Sequence, residues 1–151
     1  MAYCRPVPRD WLAELARRRK MLHIALEPNS GLEYVRDNEY LRGIADALHE
    51  SGAKVFLRFG SEMNGPWVSY HGNPKLYIEK FRLVARIMHE RAPNVAMVWA
   101  PYATPTRPIP SYYPGHDAVD WVGVNLYSVT YFNKDPTSPA AHIHPTQKLD
   151  Y

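Results

Sequence analysis

The sequence predicts an α/β fold built on a parallel sheet. Short apolar runs that could form strands alternate along the chain with segments of helical periodicity. The runs are apolar at almost every position, which is typical of strands buried on both faces between helices. No glycine-rich phosphate loop of the common kinds follows any of these runs, and this argues against a nucleotide-binding doubly wound sheet.

Four strands are predicted, and a helix precedes each of the first three. Apolar periodicity and chain breakers place the elements in this order: helix 10–20, strand 21–26, helix 37–50, strand 55–59, a helix from residue 73 that ends before Pro93, strand 94–100, loop 101–117, strand 118–126 and an irregular tail over 132–151. The chain of 151 residues is long enough for one domain with a hydrophobic core.

The predicted helix starts carry residues that favour the N-cap position. Asp10 is a suitable cap for the first helix, and either Asp37 or Asn38 is suitable for the second. Asn73 precedes Pro74, and this pair is typical of a cap followed by the first helical turn.

The composition argues against several classes of function. The net charge is only +3, and the basic cluster at residues 17–20 is typical of a helix end rather than of a nucleic-acid surface. Cys4 is the single cysteine, so no internal disulfide can form. His142 and His144 lie in the tail without metal-ligand spacing, and neither a metal nor a cofactor is predicted. No apolar run is long enough to span a bilayer, and residues 1–6 show no signal peptide.

Polar and aromatic residues cluster around the end of the second predicted strand. This strand contains Arg58, and it is followed closely by Glu62, Asn64 and Trp67. An arginine within an apolar run needs a partner. A carboxylate at the C-terminal end of a parallel strand occupies the position of catalytic groups in barrel enzymes. An acid, an amide and a flat aromatic ring together suit a sugar site. The alternative is that Glu62 is a solvated loop acid.

Glu27 occupies the equivalent position after the first predicted strand. Because the C-terminal ends of parallel strands meet at one edge of a sheet, Glu27 is a second candidate for the same site. The alternative is that its carboxylate binds amides of the loop that it begins.

Three stretches in a fixed order resemble one enzyme family. They are Arg-Phe-Gly-Ser-Glu-Met-Asn-Gly-Pro-Trp over residues 58–67, Asn-Val-Ala-Met-Val-Trp-Ala-Pro over 94–101, and the segment 112–127 that ends Gly-Val-Asn-Leu-Tyr. Together they resemble glycoside hydrolase family 26, the β-mannanase family of retaining glycosidases. The resemblance implies a (β/α)₈ TIM barrel, which needs about 250 residues when complete. Residues 1–151 are therefore expected to form part of one such domain, roughly its third to sixth strands.

The resemblance also implies the reaction and the place of its acid. It predicts a retaining hydrolase of β-linked polysaccharide, of the endo-β-1,4-mannanase type, with Glu62 as general acid/base. Retention requires a second carboxylate as nucleophile. In the family this nucleophile follows the seventh strand, and no acid of this chain matches it. Asp117 lies in the loop before the fourth predicted strand and Asp120 lies at the start of that strand, so both should lie away from the site. The chain alone is therefore expected to be inactive.

Substrate-binding roles follow by matching positions. Arg58 is expected to hold a carboxylate by a charge-assisted pair, and Asn64 to bind a sugar hydroxyl. The other expected substrate-site residues are Trp67, Trp99 and Tyr102 as stacking platforms, Tyr127 as a contact of the nucleophile, and Glu27. For Trp99 the alternative of ordinary core packing stays open.

Two positions depart from the family pattern. Ser61 stands where members commonly have histidine, and Asn125 stands where they often have aspartate. These departures weaken the inference to mannan but leave the sugar site in place. The alternative function is a non-catalytic carbohydrate-binding relic of such a barrel.

The expected partners are β-glycans or oligosaccharides, with no nucleic acid and no membrane. By resemblance the parent protein is expected to be secreted. A sheet of four strands leaves two open edges, and self-association through them is also expected.

Overall fold

The computed structural model describes residues 7–103 and 106–125. Its single sheet holds four parallel strands in the order in which they occur along the chain. The elements are α1 (Arg9–Arg17), β1 (Leu22–Leu26), α2 (Glu39–Ser51), β2 (Val55–Phe59), α3 (Pro74–Arg91), β3 (Val95–Trp99) and β4 (Trp121–Val122), with short 3₁₀ turns at Leu32–Tyr34 and Ile109–Tyr112. The predicted α/β class with four parallel strands is therefore confirmed.

Local sequence explains where the helices begin and end. The side chain of Asn38 accepts the backbone N–H of Leu41 at 3.0 Å, so Asn38 rather than Asp37 caps α2. Asn73 caps α3 through the N–H of Leu76, at 3.1 Å, and Pro74 follows it as expected.

The first helix differs from its prediction. It begins at Arg9, so Asp10 lies inside the first turn instead of capping it. It ends at Arg17 rather than near residue 20, and Arg19 has a left-handed φ of 53° that is incompatible with further α-helix.

The core lies between one face of the sheet and the helices. Leu57 and Phe59 point to this face and are almost fully buried. Phe59 packs against two rings of α3, with its centroid 6.3 Å from that of Tyr77 and 6.1 Å from that of Phe81. Such aromatic clusters bury large apolar areas, and this packing fixes α3 against the centre of the sheet.

The prediction that the strands are buried on both faces is wrong for the opposite face. Burial alternates along β2, where Phe56 and Arg58 are only half-buried. Both residues of β4, Trp121 and Val122, are exposed. In a closed barrel this face is covered by side chains from the opposing strands, and four strands do not enclose it. Self-association through the open edges of the sheet stays a prediction.

The fourth strand is shorter than the predicted 118–126. Ala118 lies in a turn, and after Val122 the pairing continues only as an isolated bridge between Tyr102 and Asn125. Tyr127 and the predicted tail over 132–151 lie outside the described residues, as does Cys4. Among the described residues, no helix is long and apolar enough to cross a membrane.

Candidate active site

The candidate site lies at the C-terminal edge of the sheet. Glu27 follows β1 directly, Glu62 follows β2 by three residues, and Asn125 follows β4 by three. Because all four strands are parallel, these positions meet at the same edge. The structure therefore brings together residues that are up to 98 positions apart in the sequence.

Glu62 is half-buried, and both of its carboxylate oxygens accept an N–H donor. The Nε1–H of Trp67 donates to Oε2 at 2.7 Å, and Nδ2 of Asn125 donates to Oε1 at 2.8 Å. The backbone N–H of Glu62 donates to the carbonyl of Ala100 at 2.9 Å. Two donors from different sides fix the plane of the carboxylate, so Glu62 is an oriented group and not a freely solvated loop acid.

Arg58 reaches Glu62 only through an intervening amide. Its Nη1 donates to Oδ1 of Asn125 at 2.9 Å, and the same amide donates from Nδ2 to Glu62. Among the described residues Arg58 pairs directly with no carboxylate, and its expected charge-assisted pair stays a prediction. The cation forces Oδ1 of Asn125 to face it as an acceptor, and this leaves Nδ2 to face the acid. The Nε of Arg58 is buried with no partner in the part of the chain that the structure describes.

An aromatic pair flanks the acid, with Trp67 exposed and Tyr102 half-buried. The ring of Trp67 is 54% exposed and meets that of Tyr102 edge to face, with centroids 5.1 Å apart. The indole lies directly over Gly65, where an added Cβ would meet ring carbons at 2.2–2.5 Å. Glycine at position 65 is thus needed for Trp67 to reach the carboxylate. The exposed face of Trp67 is open to solvent, and the platform role of both rings stays a prediction.

Asn64 does not reach this surface, and its expected bond to a sugar hydroxyl is wrong. Its side chain is fully buried, with Nδ2 donating to the carbonyl of Tyr102 and Oδ1 accepting the N–H of Tyr102, both at 2.9 Å. Asn64 therefore acts as a backbone mimic that anchors the loop carrying Tyr102.

Trp99 is a core residue, which was the alternative to a stacking role. It is 7% exposed and shares the helix-facing side of β3 with Met97. Its ring packs against that of Tyr113 with centroids 5.1 Å apart. The predicted stacking role of Trp99 is wrong because the period of two along a strand turns its side chain away from the site.

Glu27 binds the loop that carries the acid. Its Oε2 accepts the backbone N–H of Ser61 at 3.0 Å and lies 2.7 Å from the hydroxyl of Tyr70. The alternative of an acid bound to loop amides is the one observed, although the amide belongs to the loop after β2. A sugar-binding role for Glu27 stays a prediction.

Tyr70 was not identified from the sequence. Its hydroxyl lies 2.7 Å from Oε2 of Glu27 and 2.6 Å from the carbonyl oxygen of Ser61, so its single proton is shared between two acceptors, and its ring is almost fully buried. Burial, and then the hydrogen bond and charge of Glu27, raise the pKa of Tyr70 far above its usual value near 10, so the phenol stays protonated. A loop tyrosine eight residues after the acid carries no local signal, because its partner Glu27 is distant in sequence.

The two aspartates near β4 lie away from the site, as expected. Asp117 forms an ion pair with Arg82. Asp120 accepts the N–H of Met97 in the middle of β3 at 2.7 Å and contacts His89, near the C-terminal end of α3. The C-terminal end of α3 leads into β3 and therefore lies at the other edge of the sheet. Within the described ranges, no group of three His, Cys, Asp or Glu side chains could hold a metal.

Comparison with known proteins gives one family. The protein-family model described as Glycosyl hydrolase family 26 matches residues 7–140 of this sequence. Two curated relatives are each 31% identical to this chain: the beta-1,3-xylanase TXYA of a Vibrio species over 144 residues, and the beta-1,3-xylanase of an Alcaligenes species over 129 residues. The matches cover 88% and 80% of this chain, and 31% and 27% of the relatives. The chain thus spans less than a third of the length of these proteins.

A solved structure of an endo-beta-1,4-mannanase double mutant from Cellulomonas fimi has the same fold. It superposes with a TM-score of 0.66 at 21% identity, covering 81% of this chain and 35% of the mannanase. At this identity the likeness establishes the fold of the superposed part, which is an arc of a TIM barrel.

Proposed function

This chain belongs to glycosyl hydrolase family 26, and on that premise we propose that it carries the acid/base side of the active site of a retaining glycoside hydrolase. The observation that supports the proposal is the setting of Glu62. Its carboxylate is held by two N–H donors at the C-terminal edge of a parallel sheet, next to the exposed ring of Trp67 and its partner Tyr102. The proposed substrate class is β-linked polysaccharide.

The proposed reaction has two steps. In the first, Glu62 as carboxylic acid gives its proton to the glycosidic oxygen, and the bond from that oxygen to the anomeric carbon breaks as a nucleophilic carboxylate attacks the carbon. In the second, the Glu62 carboxylate takes a proton from a water molecule, whose oxygen attacks the anomeric carbon and releases the nucleophile. The nucleophile matches no residue of this chain and has to come from elsewhere in the enzyme.

The surrounding side chains assign different tasks to the two oxygens of Glu62. Oε1 faces Asn125, which Arg58 holds from the other side. Oε2 faces the exposed indole of Trp67. The proton is therefore proposed to leave from Oε2, on the open side, while Oε1 keeps the carboxyl in place. The ring faces of Trp67 and Tyr102 supply an apolar surface for a pyranose ring next to that oxygen.

The finer substrate is proposed from the relatives. The two curated relatives at 31% identity are named beta-1,3-xylanases, whereas the mannanase structure is more distant at 21%. Ser61 and Asn125, which depart from the mannanase pattern, point the same way. We therefore place β-1,3-xylan first and β-1,4-mannan second, and secretion of the whole protein stays a prediction from the family.

The test compares Glu62→Gln with Glu33→Gln in the full-length gene product. Glu33 is an exposed acid in the 3₁₀ turn after β1 and is the matched control. On β-1,3-xylan and β-1,4-mannan, Glu62→Gln should lower kcat by about 10²- to 10⁴-fold, the usual contribution of a general acid. Glu33→Gln should leave kcat unchanged. Full activity of Glu62→Gln would refute the proposal. Oligosaccharide binding without turnover by the unsubstituted protein would favour the non-catalytic alternative.

A further inference from the structure

The backbone at Glu62 has a conformation that glutamate rarely adopts. Its φ is +60°, and Gly60, two residues earlier, has a φ of +56°. A non-glycine residue held in the left-handed region costs about 1–3 kcal/mol and persists only where its surroundings enforce it. The elements that enforce it here therefore determine where the acid points.

We propose that Glu27 and Tyr70 are positioning residues of the glycosidase reaction, which together hold the peptide units around Ser61 in the one arrangement that aims Glu62 at the exposed surface beside Trp67. The inference rests on the proposed role of Glu62 as acid/base. It assigns to Glu27 and Tyr70 a part in the acid step that does not involve contact with the sugar.

The contacts hold two successive peptide groups. The N–H of Ser61, in the peptide that follows Gly60, donates to Oε2 of Glu27 at 3.0 Å. The carbonyl of Ser61, in the peptide that precedes Glu62, accepts the hydroxyl of Tyr70 at 2.6 Å. The N–H at the other end of that second peptide, on Glu62, donates to the carbonyl of Ala100 at 2.9 Å.

These bonds act directly on the strained torsion. The φ of Glu62 describes rotation about its N–Cα bond and is set by the orientation of the peptide that precedes it. Tyr70 holds the carbonyl end of that peptide and Ala100 holds its N–H end, so the peptide plane cannot rotate without breaking one of these bonds. Glu27 fixes the preceding peptide and also contacts the hydroxyl of Tyr70 at 2.7 Å, which joins both holding groups into one unit.

The environment of Tyr70 makes it a permanent donor. Its side chain is 4% exposed, and burial keeps the pKa of the phenol well above its usual value, so the hydroxyl keeps its proton over any working pH. The side chain of Ser61 takes no part in this arrangement, because its buried Oγ has no partner among the described residues. The backbone of Ser61, not its side chain, is therefore the point that is held.

The consequence is specific to proton transfer. A misplaced Glu62 hinders cleavage where the leaving oxygen needs a proton, as it does between two sugars. It has little effect where the leaving group departs as a stable anion, as 2,4-dinitrophenolate does. Misplacement of a catalytic group by about 1 Å can cost about a hundredfold in rate.

The experiment uses Tyr70→Phe and Glu27→Gln, both close in shape to the native residues, in the full-length gene product. The rate on the polysaccharide that the unsubstituted enzyme cleaves is compared with the burst of dinitrophenolate from the 2,4-dinitrophenyl glycoside of the matching disaccharide. Each variant should cleave the polysaccharide about tenfold to a hundredfold more slowly, and it should keep most of the rate of the dinitrophenolate burst. Glu62→Ala should show the same selective loss, only larger.

The matched control is Tyr112→Phe. Tyr112 is also fully buried, and its hydroxyl accepts the N–H of Gly72 at 2.8 Å, away from the acid. This variant should have a lower Tm, and its rates on the two substrates should change by the same factor.

If Tyr70→Phe and Glu27→Gln behave like Tyr112→Phe, or lose nothing, while Glu62→Ala shows the selective loss, the positioning role is refuted and the acid/base role stands. If Glu62→Ala itself shows no selective loss, the proposed function falls and this inference with it. Thermal unfolding of each variant confirms that it is folded, and if one variant fails to fold, the other decides the question.

Discussion

Replacing Gly65 by alanine tests whether the indole of Trp67 orients the acid. The φ of Gly65 is not positive, so alanine is compatible with its backbone. An added Cβ, however, would meet ring carbons of Trp67 at 2.2 Å (Cζ2) and 2.3 Å (Cε2). Ordinary contacts to a Cβ begin at about 3.4 Å, so the ring has to retreat by about 1.2 Å.

That movement is large enough to break the contact with the acid. Cε2 is bonded to Nε1, and a shift of this size carries the 2.7 Å bond from Nε1 to Oε2 of Glu62 beyond the range of about 3.5 Å. A hydrogen bond to a charged group contributes about 1.5–3 kcal/mol. If all of it is lost in the transition state, kcat falls by about tenfold to a hundredfold, since each 1.36 kcal/mol is about tenfold.

The assay is the initial rate of polysaccharide cleavage by Gly65→Ala, with Gly43→Ala as the control. Gly43 lies within α2, and an added Cβ there meets no atom within 4 Å. Gly43→Ala should keep full activity and gain about 0.5–1 kcal/mol in the free energy of unfolding, because alanine favours the helix. Unchanged kcat for Gly65→Ala would show that the contact with Trp67 does not orient the acid.

Two further predictions concern stability. Asn38→Ala removes the cap of α2 and should lower the free energy of unfolding by about 1 kcal/mol in a urea titration, whereas Asp37→Ala should lower it less if Asn38 is the cap. Burial raises the pKa of Tyr77 well above 10, so its phenol stays protonated in the fold but ionises at about pH 10 once unfolded. The stability that depends on this protonated phenol is therefore complete below pH 10 and is lost as the pH rises above it. The fall in the urea midpoint between pH 9 and 11 should be smaller in Tyr77→Phe, and an equal fall would contradict the burial of this hydroxyl.

The elements that the sequence located best are those with strong local signals. The run 55–59 and the pair Asn73–Pro74 gave the bounds of β2 and the start of α3, because period and cap chemistry act within a few residues. The prediction failed at β4, where only Trp121 and Val122 form a strand within the described part of the apolar run, followed by the isolated bridge at Asn125. Apolar character alone does not make a strand, which also needs a neighbour in register along its length.

The candidate site divides in the same way. Glu62 was found from its position after a strand and from the motif around it, both of which are local. Asn64 and Trp99 are equally suggestive as residue types. The side chain of Asn64, however, is hydrogen-bonded to the backbone of Tyr102, and Trp99 faces the helices. Which way a side chain turns depends on the pleat and on partners distant in sequence, and the motif does not contain these.

The amino-acid order by itself determined the α/β class, the strand that carries Glu62 and the family, because periodicity, caps and a contiguous motif are properties of neighbouring residues. The tertiary structure alone decided that Asn125 stands between Arg58 and Glu62, and that Glu27 holds the backbone of Ser61. These contacts join residues 34–67 positions apart. They exist only because parallel strands bring their C-terminal ends to one edge of the sheet.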